Sequence, residues 1–190
     1  MSFTKAYDET MGNEGGYAFD PTDRGGETYK GISRRYHPSW DGWVIIDAYK
    51  PTRDYSVLYN DVSLDMMTRN FYEYQFWAKP RFSQIDDIWE DFAEKLFDTG
   101  VNVGSGRASK WLQSTLNLLN RNGTRYPDIS VDGGIGPITI QTLQKAMDCN
   151  PMERILTVFA IHQGEHYKHI MENDRTQEKY VGWFDRLTYK

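Results

Sequence analysis

Glu14 and Asp23 stand with eight residues between them in the stretch EGGYAFDPTDRGGETYKGI, residues 14–32, which also holds Asp20, Glu27 and Thr28. Two carboxylates facing across a cleft are the minimum equipment for hydrolysing a glycosidic bond. One must hold a proton for the leaving oxygen, while the other is ionised to activate water or attack the sugar. A Glu at a helix end is partly shielded, which raises its pKa, whereas an Asp on a wet turn stays ionised. A second constellation, His162-Gln163-Gly164-Glu165-His166, has the H-x-x-E-H order. Two histidines four apart on one helix face suit zinc. Against zinc, His166 falls on an apolar stripe, and a third ligand would have to be His37 or a distant carboxylate. Gly164 also weakens the helix at the centre of the motif. The expectation is therefore no metal and no cofactor.

Positioning the carboxylate pair needs a helix that ends near residue 14 and a turn-rich segment after it. Phe3, Tyr7 and Met11 recur every fourth residue. With Ser2 as N-cap, residues 3–13 read as a helix with Glu14 in its last turn, stopped by Gly15-Gly16. Asp20 to Gly31 is dense in Gly, Asp, Thr and Pro, and reads as turns and a short hairpin. Gly25-Gly26 would supply the positive φ that such a turn needs. From Ser33 to Ile85 the chain reads as helical and aromatic-rich. Ser63 would cap a helix to about Trp77, with Leu64, Met67, Phe71 and Tyr74 on one face. Most of these aromatics are core, with one or two near the cleft stacking on sugar.

The second half is more regular. Trp89, Phe92, Ala93, Leu96, Phe97 and Val101 form a core stripe between Asp86 and Val103, and a further helix places Trp111, Leu112, Thr115, Leu116 and Leu119 together. The turn Asp132-Gly133-Gly134-Ile135-Gly136-Pro137 runs into a helix with Ile140, Leu143 and Met147 apolar. Pro151 to Met171 is the longest helix. A boundary near residues 80–90 divides a part at 1–90 from a helical part at 91–190. No Pro/Ser-rich linker separates them, so they are expected to pack as one unit.

At 190 residues the chain is long enough to bury a sizeable core. A net charge of −5 without a basic stripe argues against a nucleic-acid partner. The single cysteine, Cys149, excludes an intrachain disulfide. The longest apolar run, Trp43 to Ile46, is too short to span a membrane. The first twelve residues have no apolar core of a signal peptide. The expected setting is synthesis in the cytoplasm as a monomer that acts on the cell wall after release or export.

Glu14-Gly15-Gly16-Tyr17, then Asp20-Pro21-Thr22-Asp23-Arg24-Gly25-Gly26-Glu27-Thr28, then Lys30-Gly31-Ile32, resembles the opening of glycoside hydrolase family 108, a family of N-acetylmuramidases. Trp77-Ala78-Lys79-Pro80 is similar to the close of that family's catalytic module. The chain from Phe92 onward resembles the type 3 peptidoglycan-binding module that follows it, through Asp132-Gly133-x-x-Gly136-Pro137-x-Thr139 and Gly182-Trp183-x-x-Arg186. The resemblance implies a mainly α, lysozyme-like fold with a small β-hairpin beside the active-site helix and a helical C-terminal module. It implies cleavage of the β-1,4 bond between N-acetylmuramic acid and N-acetylglucosamine, with Glu14 as catalytic acid. Similarity to the phage-type lysozymes extends this to Asp23 as base and Thr28 as a residue orienting water, although the spacing from Asp23 to Thr28 is one residue shorter than theirs. Asp20 and Glu27 are rivals for the base. Tyr17, Glu27 and Asp20 are the expected substrate-binding residues, and peptidoglycan glycan strands the partner. A phage or prophage endolysin is the expected source.

Two other classes fit parts of the sequence. One is a wall-binding or secretion-assisting protein that keeps the motif for shape, and the other is a zinc peptidase cutting the wall's peptide stems. EDTA discriminates the last of these. Lytic activity is expected to be unchanged by chelation, and rapid loss restored by zinc would revive the peptidase.

Overall fold

Apolar side chains recurring at three- and four-residue intervals build the first helix, α1 (Ser2–Met11), which buries Ala6, Tyr7 and Met11. Ser2 lies inside its first turn rather than ahead of it as a cap. The computed structural model describes residues 2–11, 16–19, 26–52 and 54–187. These fall into two units, Met1–Trp77 and Ala78–Lys190.

In the first unit, β1 (Tyr17–Phe19), β2 (Glu27–Tyr29) and β3 (Ile32–Ser33) form an antiparallel sheet in sequence order. The expected hairpin is present, and a third short strand extends it. Lys30 and Gly31 have φ of 42° and 79°. This is the left-handed pair of a type I′ hairpin turn, whose twist matches the right-handed twist of the strands. It pins Tyr29 opposite Ile32, each 1% exposed, and Thr28 opposite Ser33. Helix α2 (Gly42–Tyr49) turns Trp43 and Ile46 inward.

Helix α3 (Val62–Glu73) corrects the expected cap. Asp61, in extended backbone, accepts from the Leu64 amide at 2.9 Å, while Ser63 lies one position inside the helix and is exposed. The buried face is also rotated from the expected one, to Leu64, Thr68 and Tyr72, and Tyr74 is 60% exposed. A π-helical turn at Tyr74–Ala78 inserts the extra residue that brings Trp77 back to the core, five positions after Tyr72. Tyr7 of α1 meets Tyr72 edge-on at 5.7 Å, and Phe3 meets Trp77 at 6.0 Å, so α1 is fixed on α3.

The second unit is helical among the described residues: α4 (Phe82–Asp86), α5 (Glu90–Val103), α6 (Ser105–Leu119), α7 (Pro137–Cys149) and α8 (Met152–Asn173), then 3₁₀ turns over Arg175–Leu187. Its centre is α5, whose Phe92, Ala93, Leu96 and Phe97 are fully buried. Phe92 packs edge-on against Phe159 of α8 at 5.3 Å. The turn before α7 is held by Gln113, itself 1% exposed. Gln113 donates to Asp132 and to the Gly134 carbonyl at 2.8 and 3.0 Å, and accepts from the Gly133 amide at 2.7 Å. Pro137 then starts α7, where its missing N–H costs nothing. No helix among the described residues is long and apolar enough to cross a membrane.

The turn at Gly31 gives a stability test. A methyl there would combine positive φ with an approach of 2.8 Å to the Tyr72 hydroxyl, whereas Gly26, at φ 63°, has nothing within 4 Å. Gly31→Ala is expected to cost about 1–3 kcal/mol, and more than Gly26→Ala. Urea midpoints of the two variants check the order.

Candidate active site

The segment that bears Glu14 runs between two anchored ends. Met11 closes α1 in the core, and the carbonyl of Gly16 accepts from the Lys30 amide at 3.0 Å. A Cβ at Gly16 would overlap the Tyr59 ring, which lies flush against the Gly16 backbone. Glu14, Asp20 and Asp23 themselves lie outside the described residues. Asp20 and Asp23 belong to the connection between β1 and β2, whose base is the pair Phe19 and Glu27.

Tyr17, Glu27 and Thr28 are brought together in the sheet, but not on one face. Side chains alternate along a strand, so Thr28 shares its face with Ala18 and Ser33, and Glu27 shares the other with Tyr17 and Tyr29. On its face Glu27 is only 10% exposed, and both of its oxygens accept hydrogen bonds. Oε1 accepts from the Tyr17 hydroxyl at 3.0 Å and from Lys50 at 2.7 Å, and Oε2 accepts from Arg34 at 3.0 Å. Burial pushes the Glu27 pKa up, but the hydrogen bonds from Lys50, Arg34 and Tyr17 outweigh it and leave the carboxyl below its ordinary range. Burial, with hydrogen bonds to Tyr55 and Glu27, holds the Tyr17 phenol protonated. Its ring stacks on Tyr55 at 4.0 Å.

Arg34 and Lys50 also bind Asp47. Arg34 grips it with two nitrogens at 2.7 and 2.6 Å, and Lys50 meets it at 2.7 Å. The hydrogen bonds from Arg34 and then Lys50 drive Asp47 well below the ordinary carboxylate range. A second cluster secures the other side of the sheet: Asp65 of α3 accepts from Lys30 at 3.1 Å and from Arg69 at 3.2 Å. Arg69 reaches on to Asp8 of α1 at 2.7 Å and lies over the Tyr7 ring at 4.6 Å. Burial, then Asp65, pushes the Tyr7 phenol up to about 12.

None of Arg34, Asp47, Lys50 or Asp65 was singled out from sequence. The Arg34 partnership had a readable signal. A two-residue turn at Lys30-Gly31 continues its register outward to Glu27 and Arg34, whose backbones bond at 2.8 Å. Tyr59, 58% exposed, lies against the backbone of Gly16. In the second unit, His166 Nε2 lies 2.9 Å from an Arg107 nitrogen. Arginine has no acceptor, so the imidazole accepts. His162 Nε2 is buried without a partner. Among the described residues no group of three His, Cys, Asp or Glu side chains is placed to hold a metal ion.

Residues 7–104 match the family model described as glycosyl hydrolase 108, and residues 107–188 match one described as a predicted peptidoglycan domain. Comparison with curated proteins finds no match. A solved structure, that of SagA from Brucella abortus, is similar over 96% of this chain and 95% of that chain, at 20% identity and a TM-score of 0.57. That likeness bears on the fold, which is mainly α and lysozyme-like, with a small sheet in the first unit and a helical second unit. The junction of the two matched regions falls at the Gly104 turn between α5 and α6, whereas packing groups α4 and α5 with the helices that follow.

The Glu27 cluster predicts an acid-dependent loss of stability. A carboxyl depressed by folding stabilises the protein above its unfolded pKa, about 4.3. That contribution disappears as pH falls below this value and through the folded one. Glu27→Gln is expected to cost about 1–3 kcal/mol near neutrality. The gap in Tm between the two proteins should hold from pH 8 to 5 and narrow below about pH 4. A gap that persists unchanged to pH 2 would refute the charge-based account.

Proposed function

This chain belongs to the glycosyl hydrolase 108 family, and we infer from that membership that Glu14 is the acid of its reaction and, from the similarity to phage-type lysozymes, that Asp23 is the base. It is a peptidoglycan hydrolase, an N-acetylmuramidase cleaving the β-1,4 bond between N-acetylmuramic acid and N-acetylglucosamine. The observation that supports Asp23 over its rival is the engagement of Glu27. Both Glu27 oxygens are taken by donors, and its pKa is held low. A base in that state has three of its four acceptor sites filled and little appetite for a proton. Glu27 and Tyr17 are therefore positioning residues that fix the sheet, and Asp20 ranks behind Asp23. Thr28, on the opposite face of β2, is free of the cluster.

In this mechanism Glu14 gives its proton to the glycosidic oxygen as the bond from C1 to that oxygen breaks. A water held by Asp23 and Thr28 adds to C1 from the other side, and its proton passes to Asp23. Positive charge that builds on the sugar ring is met by the ionised Asp23. Tyr59 offers an exposed ring on which a pyranose can stack.

A short Asp with a hydroxyl partner suits holding water better than attacking C1. The expected reaction is a single displacement with inversion, which calls for carboxyls roughly 6.5–9.5 Å apart, against about 5–5.5 Å for retention. Glu14→Gln should lower turnover by about 10²–10⁴-fold and leave stability within about a kcal/mol. Asp23→Asn should lose more kcat than Glu27→Gln does while folded; the reverse order would move the base to Glu27. NMR of the earliest product from a β-linked oligosaccharide should show the α-anomer. A β-anomer, or a sugar trapped on a carboxylate, would exclude inversion.

A further inference from the structure

Three sequence features that the hydrolytic reaction does not use meet at one cavity of the second unit. They are the H-x-x-E-H stretch of α8, the Gly182-Trp183-x-x-Arg186 signature, and the end of α5 at Asn102-Val103. The cavity, about 280 Å³, is lined by Val103, Arg107, His166, Tyr167, Ile170 and Trp183, with Asn102 at its edge. Its walls are held in place from behind. Arg186 pairs with Asp98 of α5, and the buried Lys95 donates to the Arg186 carbonyl, which ties the Trp183 segment to α5. Trp183 stacks on Tyr180 at 5.1 Å and packs on Tyr167 at 5.5 Å. The Tyr167 hydroxyl donates to Asn102 at 2.8 Å and accepts from the buried Gln163 at 2.7 Å, so a polar group with both its roles filled lies behind the apolar wall.

The charge in this cavity belongs to Arg107. Its guanidinium is exposed, donates to His166 Nε2 at 2.9 Å, and has no carboxylate partner among the described residues. Burial, and then Arg107 itself, holds His166 below its usual pKa, so the imidazole is a neutral acceptor. His166 is braced by Trp111, edge-on at 5.6 Å. A guanidinium with one face already oriented and donors to spare, at the mouth of a cavity walled by Val103, Ile170 and Trp183, fits a carboxylate next to a small apolar group.

We propose that this cavity binds a methyl-bearing carboxylate of the wall, with Arg107 pairing the carboxylate and Val103, Ile170 and Trp183 receiving the methyl. Peptidoglycan offers that chemistry twice, in the lactyl group of a muramic acid whose stem has been removed and in the terminal D-alanine of a peptide stem. The proposal rests on the peptidoglycan reading above for its choice of ligand. It gives the second unit a recognition role distinct from the hydrolysis.

The full-length chain carrying Glu14→Gln, which spares the probe, is titrated by NMR chemical shift with free N-acetylmuramic acid and with a stem pentapeptide ending in D-alanyl-D-alanine. One probe or both should bind, and Arg107→Gln should weaken that binding about tenfold or more. Arg107→Lys should restore part of it, because it returns the charge without the planar fork. Binding confined to muramic acid identifies the lactyl group, and binding confined to the pentapeptide identifies the stem. Binding of neither probe, or equal binding by a folded Arg107→Gln variant, overturns the proposal. Release of reducing ends from purified wall by the unmodified enzyme tests hydrolysis separately, so failure of the cavity and failure of the muramidase reading are told apart.

Discussion

A carboxylate that is 10% exposed must be matched by donors, or it costs more than the strand it sits on can return. Glu27 meets that requirement with Tyr17, Arg34 and Lys50, which come from β1, the end of β3 and the end of α2. One buried charge thus holds three elements in register around the sheet. Both segments that bear the proposed catalytic carboxylates abut β1, one entering it and the other leaving it.

The same division of labour runs through the first unit. Asp47 and Asp65 are depressed by cations and ionised throughout the useful pH range. They act as counter-charges for Arg34, Lys50, Lys30 and Arg69. Such ion pairs at partly exposed positions contribute little each, but linked through shared partners they set geometry. Asp65 links the Lys30 turn of the sheet to Arg69, and Arg69 links α3 to Asp8 of α1. The helix leading to Glu14 and the sheet that follows it are therefore fastened to one ion pair of α3, Asp65 with Arg69. A catalytic acid needs the opposite treatment, shielding without a cation, so that its proton stays on at neutral pH.

Local periodicity made most of the helices legible. The α5 stripe of Phe92, Ala93, Leu96 and Phe97 reads directly from the sequence because all of its contacts lie on one straight face. The α3 face did not, because a π turn between Tyr72 and Trp77 breaks the period, and its cap was misread because Asp61 and Ser63 are both good caps in sequence. The short β3 was missed for its length, although Lys30-Gly31 held the information that fixed it. Register from that turn would have paired Glu27 with Arg34. Lys50 and Asp47 belong to a separate helix, and no pattern within the chain announces their arrival at Glu27. Of the expected site, Thr28, Tyr17 and Glu27 fall where a hairpin would put them, but only strand alternation reveals that Thr28 and Glu27 work on opposite faces.

The H-x-x-E-H stretch illustrates how a neighbour, rather than spacing, decides what a side chain does. Two histidines one turn apart on α8 satisfy the distance rule for zinc. His166, however, gives its Nε2 lone pair to a guanidinium, and a fixed cation beside that nitrogen repels a second one. His162 keeps its Nε2 inside the helical core, where burial holds it below its usual pKa. The same residues that would fail a dication are well disposed to an anion, because the neutral ring orients Arg107 without cancelling its charge. In a chain with a net charge of −5 acting on an anionic wall, attraction has to be local. An arginine with no carboxylate partner among the described residues, in a cavity walled by Trp183 and Tyr167, supplies it at the scale of one carboxylate.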